Sequence, residues 1–144
     1  MERLKQLFRP EPLIRELEIR ELIARALEFR ETLVKVRSRI SRRDFDWYPW
    51  DSFGGLTLFD RLLTGPNRFL RPLIGDDPVL DVGCGDGDLA FFFESLGCRV
   101  CAIDQESSNF NRMQGVSTTK TALDSSVRIE SLDLEPSLPG RHQD

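Results

Sequence analysis

The segment that most constrains the fold of this chain runs from Pro78 to Asp88 and reads PVLDVGCGDGD. Its apolar, β-branched start predicts a short buried strand from Pro78 to Val82. Glycine then occupies every second position, and glycine lets the backbone turn sharply and lets a ligand approach without an intervening Cβ. A helical pattern follows from Asp88 to Leu96 and is closed by Gly97. A strand, a glycine loop and a helix in this order predict a nucleotide-binding turn.

The spacing of the glycines bears on the ligand. They form G-x-G-x-G, whereas a dinucleotide fingerprint is G-x-G-x-x-G, and position 88 holds Asp where that fingerprint has its last glycine. An acidic residue beside a helix N-terminus is poorly suited to a pyrophosphate, but it suits a ligand with a sulfonium and an ammonium group. The loop therefore predicts S-adenosyl-L-methionine as the cofactor. A nicotinamide-dependent oxidoreductase is the alternative that Asp88 argues against.

Two more strands are predicted beyond the first helix, from Cys98 to Ile103 and from Ser126 to Leu132, with a short helix from Thr118 to Leu123 between them. This alternation of strands and helices predicts a parallel sheet. Asp104 and Asp133 follow the two strands directly, at the edge where such sheets bind ligands. A carboxylate at Asp104 can accept hydrogen bonds from ribose hydroxyls, and one at Asp133 from an adenine amino group. In the alternative interpretation the glycines form a tight turn and the aspartates cap strands.

The run VLDVGCGDG at positions 79–87 resembles the cofactor-binding motif of the class I S-adenosylmethionine-dependent methyltransferases. The likeness covers about residues 75–135. It implies the N-terminal half of a Rossmann-like α/β fold, with three parallel strands and their helices, preceded by a long amphipathic helix. Asp104 and Asp133 fall where that family has its ribose-binding and adenine-side acids. The resemblance implies a cofactor site made of Asp81, Gly83, Cys84, Gly85, Gly87, Asp104 and Asp133.

A narrower similarity extends from Trp47 to Gly140. It is carried by the runs FFFESLG at 91–97, AID at 102–104, NFN at 109–111 and DLEPSLPG at 133–140. This stretch looks like bacterial methyltransferases related to the enzymes that modify wobble uridine in tRNA at groups derived from 5-hydroxyuridine. The similarity implies a methyl acceptor that is either tRNA or a small molecule.

The resemblance also implies a chain that is truncated at its C-terminus. A class I domain has seven strands, whereas this sequence supplies three and stops shortly after Leu138-Pro139-Gly140. Such a sheet exposes an apolar edge, so a partner chain or an oligomer is expected to cover it. The competing hypothesis is a non-catalytic module that binds the cofactor or a partner without transferring a methyl group.

No residue is predicted to be catalytic. Methyl transfer from a sulfonium is an in-line displacement in which the cofactor carries the reactivity and the protein mainly supplies position. His142, the only histidine, lies in a tail without periodicity and is interpreted as incidental. No metal site is predicted. Cys98 and Cys101 form a C-x-x-C, but the pair falls on a strand pattern with alternating exposure, and the three cysteines together, with Cys84, do not have the spacing of a zinc site.

The N-terminal part of the chain carries one apolar stripe. Between Leu13 and Ser41 apolar residues recur at steps of three and four, which predicts a long amphipathic helix. The stripe is expected to pack on the domain itself, the favoured alternative, or on a partner helix. The last turns are basic, at Lys35, Arg37, Arg39, Arg42 and Arg43. These cations either contact phosphate groups or complement the helix dipole in solvent.

A loop rich in aromatic residues is predicted for positions 44–55. Its rings belong to Trp47, Tyr48, Trp50 and Phe53. They either cap the cofactor or stack a flipped base, or they pack the N-terminal helix onto the sheet. Two short helices are predicted after the loop, from Leu56 to Leu63 and from Pro66 to Ile74.

Four segments follow from these patterns: an amphipathic helical segment at 1–43, the aromatic loop and short helices at 44–74, a partial cofactor-binding domain at 75–135 and a disordered tail at 136–144. Hydrophobic residues make up 40% of the chain and charged residues 31%, a balance typical of a globular protein. The sequence has no run of about 18 apolar residues and no secretory signal. The protein is therefore expected in the cytoplasm, without membrane contact.

Overall fold

Three parallel strands form the sheet at the centre of the structure, a computed structural model that describes residues 11–41 and 44–134. They are β1 (Val79–Val82), β2 (Val100–Asp104) and β3 (Arg128–Ser131), and β2 lies between the other two. Val82 pairs with Ile103, so the carboxyl ends of the strands lie at one edge. The predicted α/β class with a parallel sheet is confirmed, and the arrangement is compatible with half of a Rossmann-like fold.

Four α-helices accompany the sheet in the described residues: α1 (Ile19–Ser38), α2 (Leu56–Leu62), α3 (Asp88–Ser95) and α4 (Gln114–Leu123). α3 connects β1 to β2, and α4 connects β2 to β3, as the alternating patterns predicted. α2 agrees with the first predicted short helix. The second and third strands begin later than predicted, and β2 includes Asp104.

The helix predicted from Leu13 to Ser41 is interrupted, so this part of the prediction is wrong. A single 3-10 turn spans Leu13–Glu16, the next two residues are extended, and α1 starts only at Ile19. In the extended part, Glu18 forms an antiparallel bridge with Phe69. The pairing joins residues far apart in the sequence, and helical periodicity therefore gives no sign of it.

The helix predicted from Pro66 to Ile74 is wrong beyond its first turn. A 3-10 turn forms at Gly65–Arg68, the chain then extends to pair with the residues before α1, and a separate turn closes on the Leu70 carbonyl. The N–H of Leu70 donates to the carbonyl of Leu17 at 3.0 Å. Pro72 lacks the N–H that a continuing helix would need.

α4 begins at Gln114, earlier than the helix predicted from Thr118 to Leu123. The side chain of Asn111 accepts a hydrogen bond from the Gly115 N–H at 3.0 Å, and the Thr119 hydroxyl donates to the Gly115 carbonyl at 2.8 Å. These contacts stabilise a first turn whose glycine and hydroxyl residues have low helix propensity.

The apolar stripe of α1 packs against the other helices of the same chain, which is the favoured alternative for this stripe. Its buried residues are Ile19, Leu22, Ala26 and Leu33. They join one core cluster with Phe91 and Phe92 of α3. The ring of Phe29 lies against that of Phe92, with centroids 5.8 Å apart. Each fully buried leucine, isoleucine or phenylalanine side chain contributes about 1.5–3 kcal/mol to the stability of the fold, so the stripe holds α1 on the α/β unit.

One face of the sheet is open to solvent at β1 in the described part of the chain. Leu80 and Val82 of β1 are 58% and 55% exposed, whereas Val100 and Ala102 on the opposite face of β2 are buried. The sequence predicted an exposed apolar edge of the sheet, whereas the exposed apolar side chains here lie on a face of β1; a partner that covers the sheet stays a prediction. Within residues 11–41 and 44–134, no helix has both the length and the apolar composition needed to cross a membrane.

Gly87 is a position where the glycine loop packs tightly against apolar side chains. Its φ is +85°, and a Cβ there would lie 2.7 Å from both Phe91 and Val116. We expect Gly87→Ala to lower the free energy of unfolding by about 2–4 kcal/mol, because left-handed strain and overpacking each cost about 1–3 kcal/mol. Chemical denaturation measures the change. Gly55→Ala is the control, since φ there is −64° and a Cβ would meet nothing within 4 Å. Equal effects of the two substitutions would contradict this account.

Candidate functional site

The glycine loop, residues 83–87, follows β1 directly and carries three left-handed glycines. Their φ angles are +73° at Gly83, +57° at Gly85 and +85° at Gly87. Other residue types adopt such angles only at a cost. A Cβ at Gly83 would meet nothing within 4 Å, so the loop is open at that point, whereas Gly87 faces the core.

Four of the five backbone N–H groups of the glycine loop, those of Gly83, Cys84, Gly85 and Gly87, donate within the chain. Those of Gly83 and Cys84 both donate to the carbonyl of Ile103, at 2.8 and 3.1 Å. That of Gly87 donates to the carbonyl of Cys84 at 2.8 Å. In a phosphate-binding loop such N–H groups point at the ligand instead. The glycine loop is therefore not arranged to hold a pyrophosphate.

Asp104 ends β2 beside the glycine loop. Its Oδ2 accepts hydrogen bonds from the Gly85 N–H at 3.1 Å and from the Asn109 side chain at 2.8 Å. Its Oδ1 accepts one from the Gln105 N–H at 2.8 Å. The side chain is half-buried, and carboxylate oxygens have further lone pairs. Asp104 can thus accept hydrogen bonds from vicinal hydroxyls while it holds the loop.

Asp81 lies on β1, just before the glycine loop, in a mostly buried position. Burial raises the pKa of its carboxyl above the usual value of 3.8, a hydrogen bond from the Ala90 N–H opposes this, and the negative charges of Asp104 and Asp88 add to it. Its Oδ2 is buried without a hydrogen-bond partner. A buried carboxylate oxygen among like charges is a place where an ammonium group would be stabilised.

Asp86, in the middle of the glycine loop, connects the loop to two other segments. It is only 3% exposed. Its Oδ2 accepts a hydrogen bond from the Tyr48 N–H at 2.6 Å, and its Oδ1 accepts one from the Asn111 side chain at 2.8 Å. The same Asn111 amide donates to the carbonyl of Asp46 at 3.1 Å. The aromatic loop and the start of α4 are therefore attached to the glycine loop.

Arg37 of α1 lies behind the glycine loop. Its guanidinium donates to Asp88 Oδ1 at 2.7 Å, to the Asp86 carbonyl at 3.1 Å and to the Thr119 hydroxyl at 3.3 Å. It also lies over the ring of Trp47, 5.0 Å from the centroid. The side chains of Arg37 and Asp88 are only 14% and 18% exposed. Asp88, whose charge argued for a cationic ligand in the sequence, is thus paired with Arg37.

Some rings of the aromatic loop pack against the rest of the chain and others are exposed. Trp47 lies against Arg37, and Phe53 is buried with its centroid 5.8 Å from that of Phe92, so these two pack α1 onto the α/β unit. The other rings form an exposed aromatic cluster made of Tyr48, Trp50 and Phe110, with centroids 4.9–6.0 Å apart. Tyr48 lies next to Gly85, 3.7 Å from where a Cβ would be. The cluster therefore borders the glycine loop.

A groove of 330 Å³ lies at the carboxyl ends of the strands. It is lined by Val82, Gly83, Ile103, Asp104, Gln105, Ser108 and residues 132–134. Asp133 reaches it because the N–H of Leu132 donates to the carbonyl of Asp104 at 2.9 Å, which holds the chain beside β2. Gly83, Asp104 and Asp133 therefore share one groove. A hollow of 510 Å³ at the opposite ends of the strands contains none of the predicted site residues.

Cys84 faces inward from the glycine loop. It is 5% exposed, and its Sγ lies 3.8 Å from the carbonyl oxygen of Gly85. Burial raises the pKa of the thiol to about 12, and the negative charges of Asp81 and Asp104 contribute. The thiol is therefore neutral at physiological pH, and any cofactor contact from Cys84 comes from its backbone.

Asp86 and Arg37, which fix the glycine loop to other segments, could be predicted only in part from the sequence. Asp86 stands between two glycines, where a carboxylate is a candidate for contacts with loop N–H groups. Arg37 lies one turn after Leu33 on the apolar stripe, a cation on a buried face. Of the predicted basic patch, Lys35 and Arg39 are exposed, whereas Arg42 and Arg43 lie outside the described residues, as do the tail and His142. Within the described ranges, no group of three His, Cys, Asp or Glu side chains is placed to hold a metal ion.

Comparisons of the chain with protein-family models, with curated protein sequences and with solved structures found no match. The function proposed below therefore rests on the geometry of the site.

The burial of the cysteines predicts their reactivity. Cys84 and Cys98 are 5% and 8% exposed, and burial raises the pKa of both thiols, whereas Cys101 is partly exposed. We expect iodoacetamide at pH 8 to modify Cys101 first in the native protein and all three thiols after denaturation, because the thiolate is the reactive form. Peptide mass spectrometry over a time course measures this. Modification of Cys84 at the rate of Cys101 would contradict the buried position of Cys84.

Proposed function

We propose that this chain is the cofactor-binding part of an S-adenosyl-L-methionine-dependent methyltransferase. The observation that carries the proposal is a contrast between donors and acceptors at the site. The N–H groups of Gly83, Cys84, Gly85 and Gly87 donate within the chain, whereas Oδ2 of Asp81 has no hydrogen-bond partner. A site with its loop donors engaged and a buried acceptor unpaired favours a cationic ligand over a pyrophosphate.

Four of the predicted residues have roles consistent with that cofactor. Asp81 would pair with the ammonium group, and Gly83, which leaves open space, would let the ligand approach the backbone. Asp104 would accept hydrogen bonds from the ribose hydroxyls, and Asp133 would face the adenine side of the groove. The bound cofactor supplies a methyl group activated by a sulfonium. The protein's own contribution is then to bind and orient the cofactor, for which no nucleophile is required.

The acceptor is proposed to be tRNA or a small molecule. The exposed aromatic cluster favours an acceptor with a planar ring, because Trp50 and Phe110 are 62% and 49% exposed beside the glycine loop. Exposed ring faces next to a cofactor site can stack such a ring.

A non-catalytic module that binds the cofactor or a partner chain is the second candidate. The open apolar face at Leu80 and Val82 favours it, since a monomeric protein seldom leaves a contiguous apolar surface uncovered. A partner chain or a second copy is proposed to cover this face.

Calorimetric titration tests the ligand. We expect S-adenosylhomocysteine to bind and NAD not to bind. Asp104→Ala should weaken S-adenosylhomocysteine about ten- to hundredfold, because hydrogen bonds to a charged group contribute about 1.5–3 kcal/mol. Asp77→Ala, at an exposed turn position outside the groove, is the control and should bind like the unaltered protein. Binding of NAD alone would contradict the proposal.

Radiolabelled methyl transfer to bulk tRNA then separates the two candidates. Transfer that is lost with Asp104→Ala favours the enzyme. Cofactor binding without transfer to tRNA, or to a panel of small aromatic acceptors, favours the module.

The raised pKa of Asp81 predicts how ligand binding depends on pH. The ionised carboxylate is disfavoured in the free protein, and a bound ammonium would favour it. We therefore expect the affinity for S-adenosylhomocysteine to fall as the pH is lowered through the pKa of Asp81, a window above the usual 3.8. The stability of the free protein depends on pH in the opposite direction. Ionisation of this buried carboxyl as the pH rises lowers the free energy of unfolding.

Titrations with S-adenosylhomocysteine between pH 4 and 8 measure this dependence. Asp81→Asn should bind more weakly at pH 7 and should lose most of the pH dependence in the lower part of that range. Asp77→Asn should keep it. An unchanged pH profile in Asp81→Asn would show that another group meets the ammonium.

A further inference from the structure

Arg37 connects α1, the helix that precedes the α/β unit, to the glycine loop. Its guanidinium contacts four segments: the glycine loop through Asp86, the start of α3 through Asp88, α4 through Thr119, and the aromatic loop through Trp47. The predicted cofactor residues include none of these five. We propose that Arg37 is a positioning residue that holds the glycine loop in its binding shape, so that cofactor affinity depends on α1; this inference rests on the proposed function.

The contacts of Arg37 constrain both ends of the turn that follows Gly85. One guanidinium nitrogen donates to the backbone carbonyl of Asp86 at 3.1 Å and to the carboxylate of Asp88 at 2.7 Å. The backbone between these two residues is Gly87, whose left-handed φ of +85° starts α3. A donor shared between the two sides of this glycine fixes the angle at which α3 leaves the loop. Glycine alone would not fix it, because it has more accessible backbone conformations than other residues.

Partial burial strengthens the ion pair between Arg37 and Asp88. The side chains of Arg37 and Asp88 are 14% and 18% exposed, so water screens the pair less than it screens a surface ion pair. The second nitrogen position, Nε, donates to the Thr119 hydroxyl, which in turn donates to the carbonyl of Gly115 in α4. A planar guanidinium with several donors can make these contacts together, whereas an ammonium group cannot reproduce their geometry.

The other arginines of α1 provide the comparison. Arg30 pairs with Asp51 at 3.3 Å, and Arg20 pairs with Asp60 at 3.2 Å. Their side chains are 39% and 76% exposed, and their guanidinium groups donate to Asp51 and Asp60 rather than to the glycine loop. Arg30 therefore serves as a matched control on the same helix.

A positioning role and a purely electrostatic role of Arg37 predict opposite changes in the affinity for a cationic ligand when Arg37 is removed. If Arg37 acted only through its charge, its removal would leave Asp88 unneutralised near Asp81, and a cationic ligand would bind more tightly. If Arg37 positions the loop, its removal lets the Gly85–Asp88 turn relax, and the same ligand binds more weakly. The coupling between cofactor binding and the packing of α1 on the loop is also reciprocal. A bound cofactor should therefore stabilise the packing of α1.

The test measures the Kd for S-adenosylhomocysteine and the amide hydrogen exchange of residues 83–88 in four variants of the full chain. We expect Arg37→Met and Asp88→Asn each to weaken binding about tenfold, and the double variant to be no weaker than either one, because both substitutions break the same contact. Exchange at the loop amides should rise about tenfold in both variants. Arg30→Met should leave the Kd and the exchange unchanged. Denaturation of the same samples shows whether the folded fraction accounts for the loss.

Arg37→Lys keeps the proposal testable if Arg37→Met does not fold. It retains the charge and much of the stem, so a folded Lys variant with a Kd raised about fivefold and faster loop exchange supports positioning by the guanidinium fork. Tighter binding by Arg37→Met, or a Kd within twofold of the unaltered protein in both Arg37 variants, overturns the inference. If the unaltered protein does not bind S-adenosylhomocysteine, the proposed function fails. Loop exchange then still decides whether Arg37 holds the loop.

Discussion

The carboxylate of Asp86 joins the parts of this protein that have to meet for the candidate site to exist. It is buried inside the glycine loop, and it accepts one hydrogen bond from the aromatic loop through Tyr48 and one from the start of α4 through Asn111. A buried carboxylate without such partners would destabilise the fold by several kcal/mol. The need to satisfy it therefore orders three segments at once. Gly115 shows how closely they approach, since a Cβ there would collide with the Asp86 side chain.

The order around Asp86 has a consequence for ligand chemistry. With the glycine loop held from behind, its N–H groups donate to Ile103, to Asp104 and within the loop itself. Four loop N–H groups that could bind a phosphate are engaged, while Oδ2 of Asp81 remains without a hydrogen-bond partner. Asp104 takes part in both effects, because it accepts the Gly85 N–H and adds negative charge near Asp81. A site of this polarity favours a ligand with a positive charge and hydroxyl groups.

The elements that depend on local pattern could be predicted from the sequence. β1, the glycine loop and α3 were predicted close to their observed bounds, because strand composition, glycine spacing and a 3.6-residue period act over a few neighbours. Two errors fall where distant segments pair, since the bridge between Glu18 and Phe69 interrupts one predicted helix and shortens another. There a tertiary contact outweighed a local preference of at most about 1 kcal/mol per residue. The error at α4 is local, because the Asn111 side chain accepts from the Gly115 N–H four residues later and extends the helix beyond what its glycine and threonines predict.

The sequence by itself determined the parallel α/β order, the left-handed loop and the position of acids at the strand ends, since each depends on residue type and spacing along the chain. Only the tertiary structure decided how those acids are used. Asp88 is paired with Arg37, Asp86 is buried in a hydrogen-bond network, and Asp81 keeps an unpaired oxygen. Four aspartates within or beside one loop read alike in a sequence. Their roles differ because hydrogen-bond partners and burial come from α1, α4 and the aromatic loop, and folding alone brings those segments together.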